Sequence, residues 1–375
     1  MKRSALAFAA VLFAAFSANA SNSITPEAPE KLNGCYQISN AAELYGFAAI
    51  VNGTHNFTKD KSACGKLTED IVVNNRVLKN LWDEDPDFAP WNPLDTFAGT
   101  FDGNGHTISG LYLDLSKVTD APNIGFIRVL VANPDPEKPT VIKNLGIVDS
   151  YFSVKAHTGS LASIFVVEVI DSDSEDDRDS YAQIINCYNQ SVADYDGYGI
   201  ISYLVEDVGD HVVLSIENSY NAEDGHLYSS NSGTVNVKNS YQVDYKQSMD
   251  AKGVMHVTEA QFENGSVAFA LHEASRIWGQ YAYYDDYPNF SGVVENSTAG
   301  RYNVTFHTYE GDEATYLNSY ISGFFYDLPD TVIRENTAFL GWFQDKEFSG
   351  KRDTAISTSM SGDLEYWANL KDIYK

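Results

Sequence analysis

Ile184-Ile-Asn-Cys-Tyr-Asn189, Ile216-Glu-Asn-Ser-Tyr-Asn221 and Val237-Lys-Asn-Ser-Tyr-Gln242 are three versions of one phrase. Its opening, an apolar residue two positions before an asparagine, also stands at Ile142-Lys-Asn144. The asparagines Asn144, Asn186, Asn218 and Asn239 are 42, 32 and 21 residues apart, and the first and last intervals are multiples of 21. A period of about 20 residues is too short for a domain and suits one coil of a β-solenoid. Such a chain stacks similar rungs and offers a long surface in place of a single deep pocket. At a coil corner an asparagine tolerates left-handed backbone and can bond the asparagine of the next coil. Asn144, Asn186, Asn218 and Asn239 are therefore expected to form a structural ladder.

A second kind of rung alternates with the first, at Asn123-Ile-Gly-Phe-Ile127, Gly159-Ser-Leu-Ala-Ser-Ile-Phe-Val166 and Gly197-Tyr-Gly-Ile-Ile-Ser-Tyr-Leu204. Small residues let the backbone turn tightly, and the apolar ones fill a narrow core. Upstream, Lys66-Leu-Thr-Glu-Asp-Ile-Val-Val73 reads as a strand. In the segment 97–113, Asp102-Gly103 and Asn104-Gly105 are turn dipeptides, with Phe97, Thr100, Phe101, Ile108, Leu111 and Leu113 as inward candidates. Asn40 followed by Glu43 is a variant of the capping box and predicts a helix over 41–51, closed by Asn52-Gly53 and covering the end of the stack. Residues 258–273 have helical spacing broken at Asn264-Gly265, so two short helical pieces should close the other end.

Residues 1–20 read as a secretory signal: Lys2 and Arg3, an apolar run from Ala5 to Phe16, and Ala18-Asn-Ala20 as the cleavage site. Removing Lys2 and Arg3 from the 25 basic residues leaves 23 against 52 acidic, a net of −29. That balance disfavours nucleic acid and anionic membrane as partners. No later stretch approaches the roughly 20 apolar residues of a spanning helix. Of the three cysteines, Cys35 and Cys64 are expected to pair in an oxidising compartment, closing a loop whose chain entropy is worth roughly 3–4 kcal/mol. Cys187 takes the place of Ser219 and Ser240 in the sister repeats and reads as a small buried stacking residue. The resulting division is a signal at 1–20, a loose leader at 21–34, the solenoid with its helical ends at 35–290, a Gly/Ser/Asn linker at 291–300 and a C-terminal domain at 301–375.

Two stretches carry a family resemblance. Phe97-x-Gly-x-Phe-Asp-Gly-Asn-Gly-His-x-Ile-x-Gly-Leu111 and the later rungs, with Phe262-Glu-Asn-Gly-Ser266 and Trp278-Gly-Gln280, resemble exported bacterial proteins with the GLUG motif. That resemblance implies a right-handed parallel β-helix. Residues 301–371 resemble the Listeria–Bacteroides repeat, also called the internalin B-repeat, through Val304-Thr-Phe306, Leu328-Pro329, Phe339-Leu-Gly-Trp-Phe343, Phe348-Ser-Gly350 and Tyr366-Trp-Ala368. It implies a small β-grasp-like module used in adhesion. The ending departs from that family's usual Tyr-Ala-x-Trp, and only one copy is present. Neither resemblance implies catalytic residues.

Chemistry-bearing patterns are sparse. Tyr281, Tyr283, Tyr284, Asp285, Asp286 and Tyr287 form an aromatic and acidic cluster suited to stacking on a sugar ring while carboxylates bond its hydroxyls. Asp171, Asp173, Glu175 and Asp177 alternate as calcium ligands would, but Asp176 and Ala182 stand where an EF-hand loop needs Gly and Glu, so a solvated acidic loop is the expectation. Asp194, Asp196, Glu206, Asp207 and Asp210 flank one rung, without the spacing that would single out a catalytic pair. Nucleophile elbows and phosphate loops are absent. The sequence therefore points to a secreted or cell-surface bacterial protein that is not an enzyme, needs no cofactor, and adheres to a polysaccharide or surface protein. The alternatives are a polysaccharide lyase or hydrolase on the β-helix, and a structural envelope component.

Overall fold

The structure is a computed structural model that describes residues 22–81, 87–155, 160–172, 178–196, 199–200, 202–222, 225–229, 232–243, 253–312 and 314–373. The signal lies outside the described residues. The fold is mainly β, with several mostly parallel sheets. Two compact units meet in sequence between Thr258 and Glu259.

In the first unit one sheet runs in chain order through Cys35–Ile38, Cys64–Leu67, Thr100–Ser109, Thr140–Lys155, Ser180–Asp196, Tyr220–Asn221, Tyr241–Val243 and Met255–Val257, every neighbour parallel. A second sheet, also parallel throughout, orders Leu94–Phe97, Ile127–Val131, Val166–Ile170, Ser202–Val208 and Gly225–Tyr228. Parallel neighbours cannot be joined by a tight hairpin, so the chain must leave the sheet and return. Between Cys64–Leu67 and Tyr241–Val243 it returns by way of the other sheet, visiting the two in turn, whereas from Cys35–Ile38 to Cys64–Leu67 it returns through the helix Ala41–Asn52. Like residues therefore stack on like. Phe101, Ile142, Ile184 and Ile216 face one another in register and are wholly buried, and Val237 extends the column. Each such side chain is worth about 1.5–3 kcal/mol of burial.

The repeated asparagines sit at a corner of this path. Asn144, Asn186, Asn218 and Asn239 have φ of 53, 52, 50 and 47°, all left-handed. Asn186 Nδ2 donates to Asn144 Oδ1 at 2.8 Å, and Asn239 Nδ2 to Asn218 Oδ1 at 3.0 Å. Asn144 Nδ2 donates on to Asp102 Oδ1 at 3.0 Å, which makes Asp102 the first member of the ladder. The ladder pauses at the 32-residue interval, where Asn186 Oδ1 has no partner among the described residues. One residue further on, a serine column supports the same corner. Cys187 N donates to Ser219 Oγ and Ser219 N to Ser240 Oγ, at 3.0 and 3.1 Å. A second corner repeats the device, with Leu111 N on Ser150 Oγ and Ser150 N on Ser191 Oγ.

The helix Ala41–Asn52 starts at Asn40, whose Oδ1 accepts Glu43 N at 3.0 Å, and ends at Gly53 in left-handed backbone. Glu43 reaches back one residue further than a capping box requires, to Ser39 N at 2.7 Å. Residues 44–51 are all buried, so the helix is covered on every side, and Phe47 packs edge-on against Phe97 and Phe101. The cover includes the leader. Residues 22–34 are not loose: Glu30–Leu32 pairs antiparallel with Cys35–Ile38, and Glu27 N donates to Ala42 O. Gly46 makes room for this, since a Cβ there would lie 1.7 Å from Glu27 O. Cys35 and Cys64 are directly opposite in neighbouring parallel strands and form a disulfide.

Three further expectations change. The turn dipeptides at 102–105 make no hairpin. They form a bulge inside the strand Thr100–Ser109, with Asn104 and Gly105 at positive φ and two extra residues between Asp102 and His106. The strand expected at 66–73 is split into Cys64–Leu67 and Ile71–Val72, which pair with opposite sides of that bulge. The segment 291–300 is not a free linker. Val294–Glu295 pairs with Gln280–Tyr281, and Ser297 Oγ donates to Gly265 O, so it is tied to the helical block.

The second unit begins with that block, the helices Glu259–Glu263 and Ser266–Ala274, broken by Gly265 at φ 78°. By contacts the block belongs with the C-terminal segment, ahead of the boundary the sequence suggests. Downstream, a four-stranded sheet orders Ser319–Ile321, Arg301–His307, Leu364–Asp372 and Thr337–Phe343, with the central pair parallel. Its core gathers Val304, Tyr320, Trp342, Ile356 and Tyr366.

Two substitutions test the corner. Asn186→Gly keeps access to left-handed backbone and loses only the ladder bond, so urea unfolding should show a loss of about 1 kcal/mol. Asn186→Ala adds the left-handed penalty of roughly 1–2 kcal/mol and should lose about twice as much or more. Equal losses would show that the backbone conformation contributes nothing. Gly146→Ala should destabilise by roughly 1–3 kcal/mol, because its Cβ would lie 2.3 Å from the Tyr188 ring.

Candidate functional site

The aromatic and acidic cluster at 281–287 lies on a tight turn that leaves the short strand Gln280–Tyr281. Tyr284 N and Asp285 N both donate to Tyr281 O at 3.0 Å. Asp285 Oδ2 accepts Tyr281 N at 2.9 Å and Asn289 Nδ2 at 3.0 Å. Gln280, fully buried, holds the turn from below by donating to Phe262 O and Asp285 O at 2.9 and 2.7 Å. The consequence is a parallel pair of rings: Tyr281 and Tyr284 stack with centroids 4.7 Å apart and an interplanar angle of 6°. They are 42% and 77% exposed, and Tyr283 between them is 72% exposed. Three large rings left partly in water forgo much of the burial that is worth about 1.5–3 kcal/mol for a fully covered side chain. Tyr283 also sits at φ 77°, where a bulky residue is strained by roughly 1–3 kcal/mol.

The structure separates the six cluster residues into different jobs. Tyr281, Tyr283, Tyr284 and Asp286 face solvent. The Asp285 carboxylate is occupied by the turn itself. Tyr287 turns inward, edge-on to Phe262 at 5.3 Å. A sugar ring could stack on the tyrosine face, with Asp286 as the carboxylate open to its hydroxyls.

Of the acidic-loop residues, Asp173, Glu175 and Asp177 lie outside the described residues, and Asp171 is half-buried. Among the described residues no group of three or more His, Cys, Asp or Glu side chains is placed to hold a metal ion. Cys187 is fully buried, and burial pushes its thiol up to about 12. Its Sγ donates to Ile185 O, as Ser219 Oγ donates to Glu217 O, so it is a serine substitute in the corner column.

Sequence reading missed one other arrangement. Phe88, Tyr112 and Tyr151 form a row of half-buried rings, with neighbouring centroids 5.1 and 6.1 Å apart. Beside it Asp114, Ser153 and Asp194 are aligned across three strands, and Tyr151 Oη donates to Asp194 Oδ2 at 3.0 Å. Burial first, and Asp114 next, push the Tyr112 hydroxyl up to about 12. Burial and Asp194 hold Tyr151 above the ordinary tyrosine range, partly offset by Ser153. The available signal was the 39-residue offset between Leu111-Tyr-Leu113 and Ser150-Tyr-Phe152.

No protein-family model matches the chain, and no curated protein or solved structure matches it. Among the described residues no helix is long and apolar enough to cross a membrane. The burial of Cys187 gives a direct check: an alkylating reagent should leave it unmodified in the native protein and label it fully in denaturant. Labelling of the native protein at the rate of a free thiol would contradict its place in the core.

Proposed function

We propose that this chain is an exported, non-catalytic binding protein of a bacterial surface. In this reading its first unit is a right-handed parallel β-helix of the GLUG type, and its C-terminal segment is an adhesion module like the Listeria–Bacteroides repeat. The alternating visits to two parallel sheets support the β-helix, and right-handed return paths are the rule for parallel strands. The parallel central pair formed by the first and last strands supports the β-grasp-like module. The Cys35–Cys64 disulfide supports export. The partner is a polysaccharide, and the observation that carries this is the parallel, solvent-facing Tyr281–Tyr284 pair on a strained turn. Residues 21–375 should be retained on insoluble polysaccharide without releasing soluble sugar. Replacing Tyr281 and Tyr284 together by Ala should weaken retention by about tenfold, from stacking worth roughly 0.5–1.5 kcal/mol per ring. Unchanged retention would remove the tyrosine pair from the site.

A second reading, a polysaccharide hydrolase, is favoured by the aligned Asp114 and Asp194. They lie two strands apart, about 9–10 Å, at the upper end of the carboxylate separation of inverting enzymes. Release of reducing ends that Asp194→Asn abolishes would establish it. Binding with no sugar release would exclude it.

A further inference from the structure

We propose a second saccharide subsite in the C-terminal segment, a cleft built around Arg352. It rests on the reading of the chain as a glycan binder and adds a contact separate from the tyrosine pair. The cleft has a volume of about 590 Å³, within the range of small-ligand sites. Its polar lining is Asp327, Asp330, Arg352, Asp353 and Thr354. The frame is rigid because backbone holds it. Tyr326–Asp327 pairs antiparallel with Ala355–Ile356, Leu328 N donates to Thr354 O at 2.9 Å, and Asp353 N donates to Trp342 O at 2.9 Å. The buried Trp342 ring stands behind, pinned by Nε1 donating to Pro329 O at 2.7 Å.

Arg352 is the unusual member. Its stem lies over Gly341, where a Cβ would come within 2.5 Å of Arg352 Cδ and where φ is 131°. This gives a physical use to the glycine of Phe339-Leu-Gly-Trp-Phe343. The guanidinium makes no hydrogen bond or ion pair among the described residues, although three aspartates line the same cleft. Five N–H donors are thus left open beside two exposed carboxylates and a third that Gln344 Nε2 holds at 2.6 Å.

The mixture of groups selects the ligand. An anionic sugar would face three carboxylates, and a cationic amino sugar would leave the five donors of the guanidinium unanswered. A neutral hexose unit satisfies both, its hydroxyls donating to the aspartates and accepting from Arg352. Two subsites on one compact unit would let a single polymer engage both and gain avidity without new contacts.

Calorimetry on residues 21–375 tests this with neutral probes (cello-, laminari-, malto- and mannopentaose) and charged ones (pentagalacturonate and chitosan pentamer). At least one neutral pentasaccharide should bind, with affinity nearly constant between about 50 and 300 mM salt. Arg352→Gln and Asp330→Asn, both at exposed positions, should each weaken it by about tenfold while the melting temperature stays unchanged. Wild-type affinity in Arg352→Gln, binding of charged probes alone, or no binding by any probe would overturn the cleft. The paired Tyr281→Ala, Tyr284→Ala variant separates the two sites. Loss only in that variant retains the tyrosines and overturns the cleft, whereas loss only in Arg352→Gln supports the cleft and removes the tyrosines.

Discussion

The first unit depends on a corner that few residues can turn. At Asn144, Asn186, Asn218 and Asn239 the chain passes through left-handed backbone, which costs roughly 1–2 kcal/mol for most side chains and little for asparagine or glycine. Glycine would satisfy the backbone alone. Asparagine also carries a side-chain amide that bonds the next asparagine of the series, and it does so at two of the three intervals. Because the corner recurs in the same place, the residues before and after it fall into register. Ile184 lies between Ile142 and Ile216, and Tyr188 stacks on Tyr220 at 5.2 Å and 9°. The core is the consequence of the corner.

Once register is set, the length of chain between corners is free to vary. The intervals of 42, 32 and 21 residues differ by what the chain does on the way, yet each returns to the same asparagine. The serine columns show the same tolerance. Cys187 replaces serine without breaking the column, because its bond runs from the backbone N–H of Cys187 to Ser219 Oγ. The ends are handled differently. The first strands are covered by a helix whose residues 44–51 are all buried, by the leader that Gly46 admits, and by a disulfide between opposed strands.

The corner was legible in the sequence because asparagine, its apolar forerunner and the following Ser-Tyr recur as a phrase. The capping helix was legible through Asn40 and Glu43, and the break between the two later helices through Gly265. What was not legible depended on partners distant in sequence. The leader reads as polar and loose, and only Gly46, some twenty residues on, reveals that a backbone lies against it. Asp102 reads as half of a turn dipeptide until Asn144, 42 residues away, is seen to bond it. The site was legible in part. Composition located the tyrosines, but the assignment of Asp285 to the turn and Tyr287 to Phe262 needed three dimensions. Arg352 gave no signal at all, since its meaning comes from Gly341 beneath it and three aspartates around it.

The native disulfide suggests the decisive measurement. Cys35 and Cys64 bond because they stand directly opposite in parallel neighbours, with Cα atoms 4.5 Å apart. Ser215 and Asn236 stand in the same relation in neighbouring parallel strands further along the chain. In a Cys187→Ser background, cysteines placed at 215 and 236 should cross-link quantitatively under mild oxidation, read as an intact-mass loss of two hydrogens and a mapped cross-linked peptide. Cysteines at 215 and 238, two residues out of register, should remain reduced. Cross-linking of the offset pair in preference to the aligned pair would contradict the asparagine-set register.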